Sequence, residues 1–440
     1  MRTKMRLKTL LLSIGVLPVV CSAAGAASVD PSIMPRSAPA NTTTPVALSA
    51  VFDESLVNSP RAASIRAALG ISKAAYAQAY TLPNPSFFFL NDTAQLAHQI
   101  GASVPVEPPW KLAFRVLVAR AQIKQVDLEI ARNLWQLRST IRRAYLDVVM
   151  ANETAQTYVE LHSLASTLEA TARKRFAADD VAALDVDRAE LVVLQTEADV
   201  KQSERKAIQA KQRLSVLMGR DYKETIEVPR LPPFKLRAET HELLPNFAEE
   251  IPSLERLIKE ALKTRLDLKV IEQNIAANKS SLRLARANIF PNPVINVGSS
   301  YSGNPPQPSI ATRGYFIGIT QELPVLNFQQ GEQARLRAIN IQLSRELEST
   351  KNQVTEEVVS TYQQLSAARE RVQLYQDRIL LASDKVANKA RRGYEVGQSD
   401  ITSTLAAQQA NVQTKAAYLD AVRAYQQALT DLEQAIGHPL

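Results

Sequence analysis

Apolar positions recur at three- and four-residue spacing along two long stretches, Lys111 to Lys174 and Gly331 to Arg392, with no proline and no internal glycine in either. That period predicts one helix of roughly 64 residues in each stretch, about 90 to 95 Å long at a rise of 1.5 Å per residue. Helices of globular domains usually run about 8 to 20 residues, which leaves a coiled coil, a helical barrel or a fibre. Leu184 to Met218 and Asp400 to Ile436 read as returning helices. In the second, Leu405, Val412 and Leu419 keep heptad spacing, and Val422, Leu429 and Ile436 resume it after a step of three. Heptad spacing requires a partner helix. A long helix, a tight turn and a heptad helix make an antiparallel helical hairpin, and the chain predicts two of them.

The period changes to two after Pro293. Ile295, Val297 and Tyr301 alternate against Asn296, Gly298 and Ser300, and in the return run Tyr315, Ile317 and Ile319 alternate against Gly314, Gly318 and Thr320. Two strands of about nine residues with one apolar face have the length of a membrane-spanning β-hairpin, and a soluble surface hairpin would read the same way. The stretch from Pro85 to Pro108 is the weaker counterpart, because Phe87, Phe88 and Phe89 do not alternate and the insert is shorter. Four strands cannot close a membrane barrel, which needs about eight. Open strand edges are not tolerated in lipid, so insertion would require several chains to share one barrel.

Both halves follow the same order, and this duplication fixes the domain plan. Pro83-Asn84-Pro85 recurs as Pro291-Asn292-Pro293, Phe176 as Tyr394 and Gly219 as Gly437, the last two pairs about 218 residues apart. The expected organisation is a signal peptide (1–26), a flexible N-terminal arm (27–47), a first repeat (48–219) with a β-hairpin at about 84–108, a linker (220–252), and a second repeat (253–440) with a β-hairpin at about 292–322. The fold class is mainly α with a small β part.

Composition narrows the function. Arg2, Lys4, Arg6 and Lys8 precede an apolar run from Leu10 to Val20 and a small-residue cleavage site at Ala24-Gly25-Ala26, the signature of an exported protein. Val19 and Val20 are poor residues to precede a lipidated Cys21, the single cysteine, so cleavage leaves a thiol-free chain without disulfides or thiolate metal sites. The net charge of +8 falls to about +4 once the leader is removed, too little to imply nucleic acid as a partner. His98, His162, His241 and His438 have no second ligand at helical spacing, and no phosphate loop or nucleophile elbow is present. The expectation is no catalysis, no cofactor and no metal site.

With the paired Pro-Asn-Pro stops, the tip Arg391-Arg392-Gly393-Tyr394-Glu395-Val396-Gly397-Gln398-Ser399-Asp400-Ile401 and the endings Leu217-Met218-Gly219 and Ile436-Gly437, the chain from Leu48 to Pro439 resembles the TolC-like outer membrane efflux proteins. The resemblance implies a homotrimer in which each chain gives four strands to one outer-membrane β-barrel, continuous with an α-helical tunnel reaching into the periplasm. It implies an equatorial layer at Arg220 to Pro252. It also implies tips, Phe176 to Val186 and Tyr394 to Ile401, that face a periplasmic adaptor coupled to an inner-membrane pump. The implied adaptor-contact residues are Phe176, Asp185, Tyr394, Gly397, Ser399 and Asp400, and the implied membrane strands carry Ile295, Val297, Tyr301, Tyr315, Ile317 and Ile319.

Two departures are visible. The first tip has Asp179-Asp180 where the family commonly has glycine, with a few more residues expected before Asp185. Ser403 and Ala406 stand where well-known members have a pair of gating aspartates, leaving Asp400 as the candidate periplasmic aperture. Glycine at 397 permits a turn with positive φ, and Asp185 and Asp400 lie where a carboxylate can cap a helix. The basic clusters Arg173-Lys174-Arg175 and Lys389-Arg391-Arg392 suit helix C-termini. Trp110, flanked by prolines and Lys111, suits an interfacial girdle. The implied function is a passive efflux conduit for small molecules or ions, served by a proton-driven pump. The alternatives are a type I secretion conduit for polypeptides and a soluble periplasmic coiled-coil scaffold.

Overall fold

The structure is a computed structural model that describes residues 45–440 apart from 93–96, 225, 232–242, 248–249 and 305–306. The expected leader with Cys21, nearly all of the N-terminal arm, His241 and part of the linker lie outside the described residues. In chain order the elements are α1 (Leu48–Asn58), α2 (Pro60–Gln78), β1 (Ser86–Asp92), β2 (Ala97–Pro105), α3 (Pro109–Ala177), α4 (Ala183–Met218), α5 (Leu254–Thr264), α6 (Leu266–Ala287), β3 (Val294–Asn304), β4 (Gln307–Thr320), α7 (Gln330–Leu374), a π-helical turn (Tyr375–Ile379), α8 (Leu380–Glu395) and α9 (Ile401–Ile436). Among the described residues no helix is long and apolar enough to cross a membrane.

The duplication holds to the residue along the returning helices. The spacing that separates Gly219 from Gly437 also separates Ala183 from Ile401 and Met218 from Ile436, the ends of α4 and α9. Both glycines are left-handed, with φ of 82° and 86°, and each sits against the kink between the first two helices of its own repeat. A Cβ at Gly219 would lie 2.7 Å from the carbonyl oxygen of Asn58, and one at Gly437 would lie 3.2 Å from Cα of Arg265. Glycine serves twice here, for the backbone angle and for the close approach. The first joint is reinforced by a bidentate pair, Arg220 to Glu54 at 2.5 and 2.6 Å, and the second by Thr264 Oγ1 donating to the Ile436 carbonyl at 2.6 Å.

Two points differ from the reading of the sequence. The single helix expected before each Pro-Asn-Pro stop is two helices, broken at Ser59 and at Arg265. In the first repeat Pro60 lacks an N–H and forces extended backbone on the residue before it. The second long helix is not uniform: its π-turn brings Tyr375 to 6.3 Å from Tyr418, ring centre to ring centre, and lets Gln376 donate to the Tyr418 hydroxyl at 2.9 Å. The π-turn absorbs an extra residue without ending the helix.

Of the heptad positions in α9, Leu419, Val422 and Ile436 are buried while Leu405, Val412 and Leu429 are half-buried. The principal core lies at mid-length, where Leu137, Ile141 and Tyr145 of α3 meet Met218 of α4 and Val422 of α9. Described parts of the linker close over it through Ile226, Val228 and Leu243. Glu153 of α3 accepts a hydrogen bond from the Leu231 backbone N–H at 3.1 Å, and burial there pushes its carboxyl above the usual carboxylate range. A raised carboxyl pKa is a contribution to stability that is present at low pH and lost as pH rises through the folded value. Glu153→Gln keeps the acceptor and is therefore expected to raise the melting temperature at pH 7, by a margin that shrinks as pH falls; melts at several pH values check this.

The four strands form one antiparallel sheet in the order β1-β2-β3-β4, the two hairpins being joined through β2 and β3. Among the described residues of the single chain, the outer sides of β1 and β4 have no strand beside them.

Candidate functional site

Register decides what each face of this sheet carries. Directly paired residues share a face, so Phe89 and Ile100, then Ala102, Val297 and Ile317, then Val104, Ile295 and Ile319, fall on one side. Tyr301, Tyr315 and Phe87 join them by alternation. The six expected membrane-strand residues thus share one face, and it is open: Tyr315, Ile317 and Ile319 are 88, 78 and 74 % exposed. The other face is mostly small and polar, with Asn296, Ser300, Gly314 and Gly318 beside an exposed Leu90, and two rings lie over its glycines. Phe88 covers Gly101 and Phe316 covers Gly298, where an added Cβ would come within 2.6 and 2.7 Å of a ring carbon. This corrects the weak reading of the first hairpin. Phe87 and Phe89 belong to the apolar face, and Phe88 breaks the alternation because it fills the space over a glycine on the neighbouring strand.

The two helix-turn-helix tips pack as one unit at the other end of the helices. Tyr394 is buried with Ile401 against Leu168, Ala172, Val186 and Ala189 of the first hairpin. Arg175, at the end of α3, holds this contact. Its guanidinium lies 5.0 Å from the centre of the Tyr394 ring, donates to the Tyr394 carbonyl at 3.0 Å and pairs with Asp180 at 2.7 Å. Burial pushes the Tyr394 phenol above its ordinary range, with Arg175 opposing. Phe176, the counterpart of Tyr394, is 46 % exposed. The basic cluster is thus not only a helix-end device: Arg173 pairs with Glu169 and Glu190, and Arg175 locks one tip to the other.

The tips have the same length, contrary to the expectation of extra residues in the first. Asp179 stands at the repeat position of Gly397, and both are left-handed, at φ 56° and 77°. The backbone bonds match as well. Asp179 N–H to Phe176 and Asp180 N–H to Arg175 correspond to Gly397 N–H to Tyr394 and Gln398 N–H to Gly393. Asp185 is consequently not a cap: the cap position of α4 is Ala182, and the Asp185 carboxylate lies 3.5 Å from Arg188. Asp400 does cap α9, accepting from Thr402 N–H at 3.1 Å, while Ser399 turns its hydroxyl inward to the Ala390 carbonyl. A left-handed non-glycine residue costs on the order of 1 kcal/mol, partly offset by the entropy of glycine in the unfolded chain. Asp179→Gly is expected to stabilise the tip by about 0.5 kcal/mol on the same grounds, read as slower proteolytic nicking between residues 177 and 183. Of the missed residues, Asp179 had a signal in the repeat spacing that aligns it with Gly397, while the role of Arg175 had none.

Just above the tips a cavity of about 150 Å³ opens between α3, α4 and α9. Its lining combines apolar Leu164, Leu168 and Val412 with polar Gln195, Asp199 and Gln409. The histidines serve elsewhere: His98 stacks between Phe89 and Tyr301, His162 bonds the Thr196 hydroxyl at 3.1 Å, and His438 lies 3.5 Å from Glu260. Among the described residues no three His, Cys, Asp or Glu side chains are grouped to hold a metal ion.

Comparison with known proteins agrees with this geometry. Residues 257–438 match the family model described as outer membrane efflux protein. The chain is 21 % identical over 373 residues to the cobalt-zinc-cadmium resistance protein CzcC of Cupriavidus metallidurans, covering 82 % of each chain. Its fold is similar to that of a membrane protein from Pseudomonas aeruginosa (TM-score 0.68, 19 % identity, 89 % of this chain and 90 % of that one) and to that of the Campylobacter jejuni CmeC outer membrane channel (TM-score 0.69, 13 % identity, 89 % and 85 %). The second repeat thus carries the outer membrane efflux protein pattern, the first repeat is built on the same plan, and the chain as a whole has a fold similar to that of TolC-like outer-membrane channels.

Proposed function

We propose that this protein is the outer-membrane channel-tunnel of a tripartite efflux system, a passive conduit from a periplasmic adaptor and inner-membrane pump to the exterior. The observation that carries the proposal is the sheet, with an exposed apolar face, a small polar face and two open edges on one chain. Open edges in lipid are satisfied only by closure, which three copies achieve by pairing β4 of one with β1 of the next. The helices carry matching evidence. Leu184, Leu191, Leu194 and Ile208 of α4 are exposed at near-heptad spacing on a face that a single chain leaves bare. The tips and the groove above them offer the adaptor both a joined end and a slot lined by apolar and amide side chains. The name of the relative CzcC favours divalent metal cations as cargo, and a wide tunnel needs no shaped pocket to pass them.

Single-channel recording of the purified oligomer in a planar bilayer tests the conduit: discrete conductance supports it, and a soluble species that never conducts would replace it with the scaffold reading. Growth of a strain lacking the gene on cobalt, zinc and cadmium salts tests the cargo, with loss of a secreted polypeptide as the outcome that favours the secretion alternative. The aperture is tested by Asp400→Asn, which preserves the cap because asparagine caps as well as aspartate. The expected result is unchanged assembly with reduced preference for cations, since a ring of three carboxylates is removed from the tunnel end. Asp400→Ala would confuse this with a cap loss of about 1 kcal/mol.

A further inference from the structure

We infer that the connection from β4 to α7, residues 321–329, is a lipid-inserted anchor, its apolar side chains lying among the acyl chains beneath the headgroups of the periplasmic leaflet. The inference rests on the membrane reading above and extends it to a segment outside the strands. Leu323, Val325, Leu326 and Phe328 are 75, 74, 90 and 49 % exposed, and no charged residue occurs between Leu323 and Phe328. A water-facing connection of this kind would normally be polar, because exposed apolar clusters mark an interaction surface.

Three observations point to lipid as the occupant. The segment continues directly from Ile317 and Ile319, so it extends the apolar face of the sheet downward. Its backbone is also prepared for low dielectric. Asn327 Oδ1 accepts from Gln329 N–H at 2.9 Å, Gln330 Oε1 accepts from Phe328 N–H at 2.8 Å, and Gln333 Nε2 donates to the Phe328 carbonyl at 3.0 Å. Gln321 further ties the segment to the carbonyl of Pro291 at 3.1 Å. These amides satisfy two N–H groups and one carbonyl of the connection, so its backbone can sit at headgroup level with less water while only the apolar side chains enter the acyl region. Finally, Phe328 is the repeat counterpart of Trp110, which is 58 % exposed at the start of α3. Each long helix therefore begins at an exposed aromatic residue, as a membrane–water boundary favours.

The dimensions agree. The row of His98, Tyr301 and Arg313 marks the polar far end of the apolar face, six residues from the row of Val104, Ile295 and Ile319. At 3.4 Å per residue those rows are about 20 Å apart. The connection adds the remainder of an apolar band about 25 Å tall.

The test uses the full chain with both native tryptophans replaced by phenylalanine, carrying either Leu326→Trp or Ile317→Trp, reconstituted as the conducting oligomer in vesicles of brominated phospholipid. Emission from Leu326→Trp is expected to fall most with bromine placed near the headgroup, and that from Ile317→Trp with bromine deep in the chains. If Ile317→Trp is quenched and Leu326→Trp is not, the connection is covered by a second copy or by water and the anchor is overturned while the membrane reading stands. If neither is quenched, the sheet does not face lipid and both readings fall together.

Discussion

Glu433→Ala is expected to destabilise the protein by about 3 to 5 kcal/mol, the cost of leaving a buried cation unpaired. Glu433 is buried on α9 and accepts from Arg142 of α3 at 2.6 Å, with Arg138 a further 3.9 Å away. Arg142 also donates to Gln426 at 3.2 Å, and Gln426 donates in turn to the Leu243 carbonyl of the linker at 2.7 Å. One charge pair therefore joins α3, the last returning helix and the segment between the repeats. A surface ion pair such as Arg345 with Glu348, both well exposed, is worth at most about 1 kcal/mol, so burial decides the difference. The neighbouring pair Arg143 with Asp431 is more exposed and belongs to the weaker class. Replacing both partners, as Arg142→Met with Glu433→Leu, removes the orphan charge and is expected to recover most of the loss. Denaturant titration of the four species in detergent gives the coupling, and a single Glu433→Ala variant as stable as the parent would mean that water reaches Arg142.

The distances between repeated residues in the sequence carried most of the helical architecture, because Pro-Asn-Pro, Phe176 with Tyr394 and Gly219 with Gly437 mark the ends that backbone chemistry enforces. Heptad spacing in α9 likewise anticipated a packed helix. What stayed hidden depends on pairing between distant segments. The three successive phenylalanines at 87–89 contradict a period of two until Gly101 on the next strand is seen to leave a space that Phe88 fills. Asp185 looked like a cap by proximity to a helix start, yet only the backbone shows that the cap is Ala182, three residues earlier. Arg175 read as one member of a basic run at a helix end. Its reach to the Tyr394 carbonyl, more than two hundred residues on, follows from how two hairpins lie together and has no local signature. The π-turn is hidden for a similar reason: one extra residue in a helix changes no composition.

Ile317→Arg is the substitution that separates the membrane protein from a soluble scaffold most sharply. Ile317 is 78 % exposed in the single chain and pairs across to Val297 on the apolar face. On a water-facing sheet an exposed substitution of this kind changes stability by about 0.5 kcal/mol or less. On a lipid-facing strand near mid-bilayer, arginine costs about 2 to 4 kcal/mol. In the proposed ring of three chains that cost is met three times, so the expected outcome is loss of heat-resistant oligomer from the outer-membrane fraction with the helical content of the chain retained. Ser300→Arg is the control, since Ser300 lies on the opposite, small polar face, three residues or about 10 Å further along the strands, and a cation there would face the lumen of the proposed barrel. That variant is expected to assemble normally and to shift conductance toward anions. Equal recovery of both variants as assembled oligomers would place the apolar face against something other than lipid, and the exposed isoleucines would then have to be covered by protein.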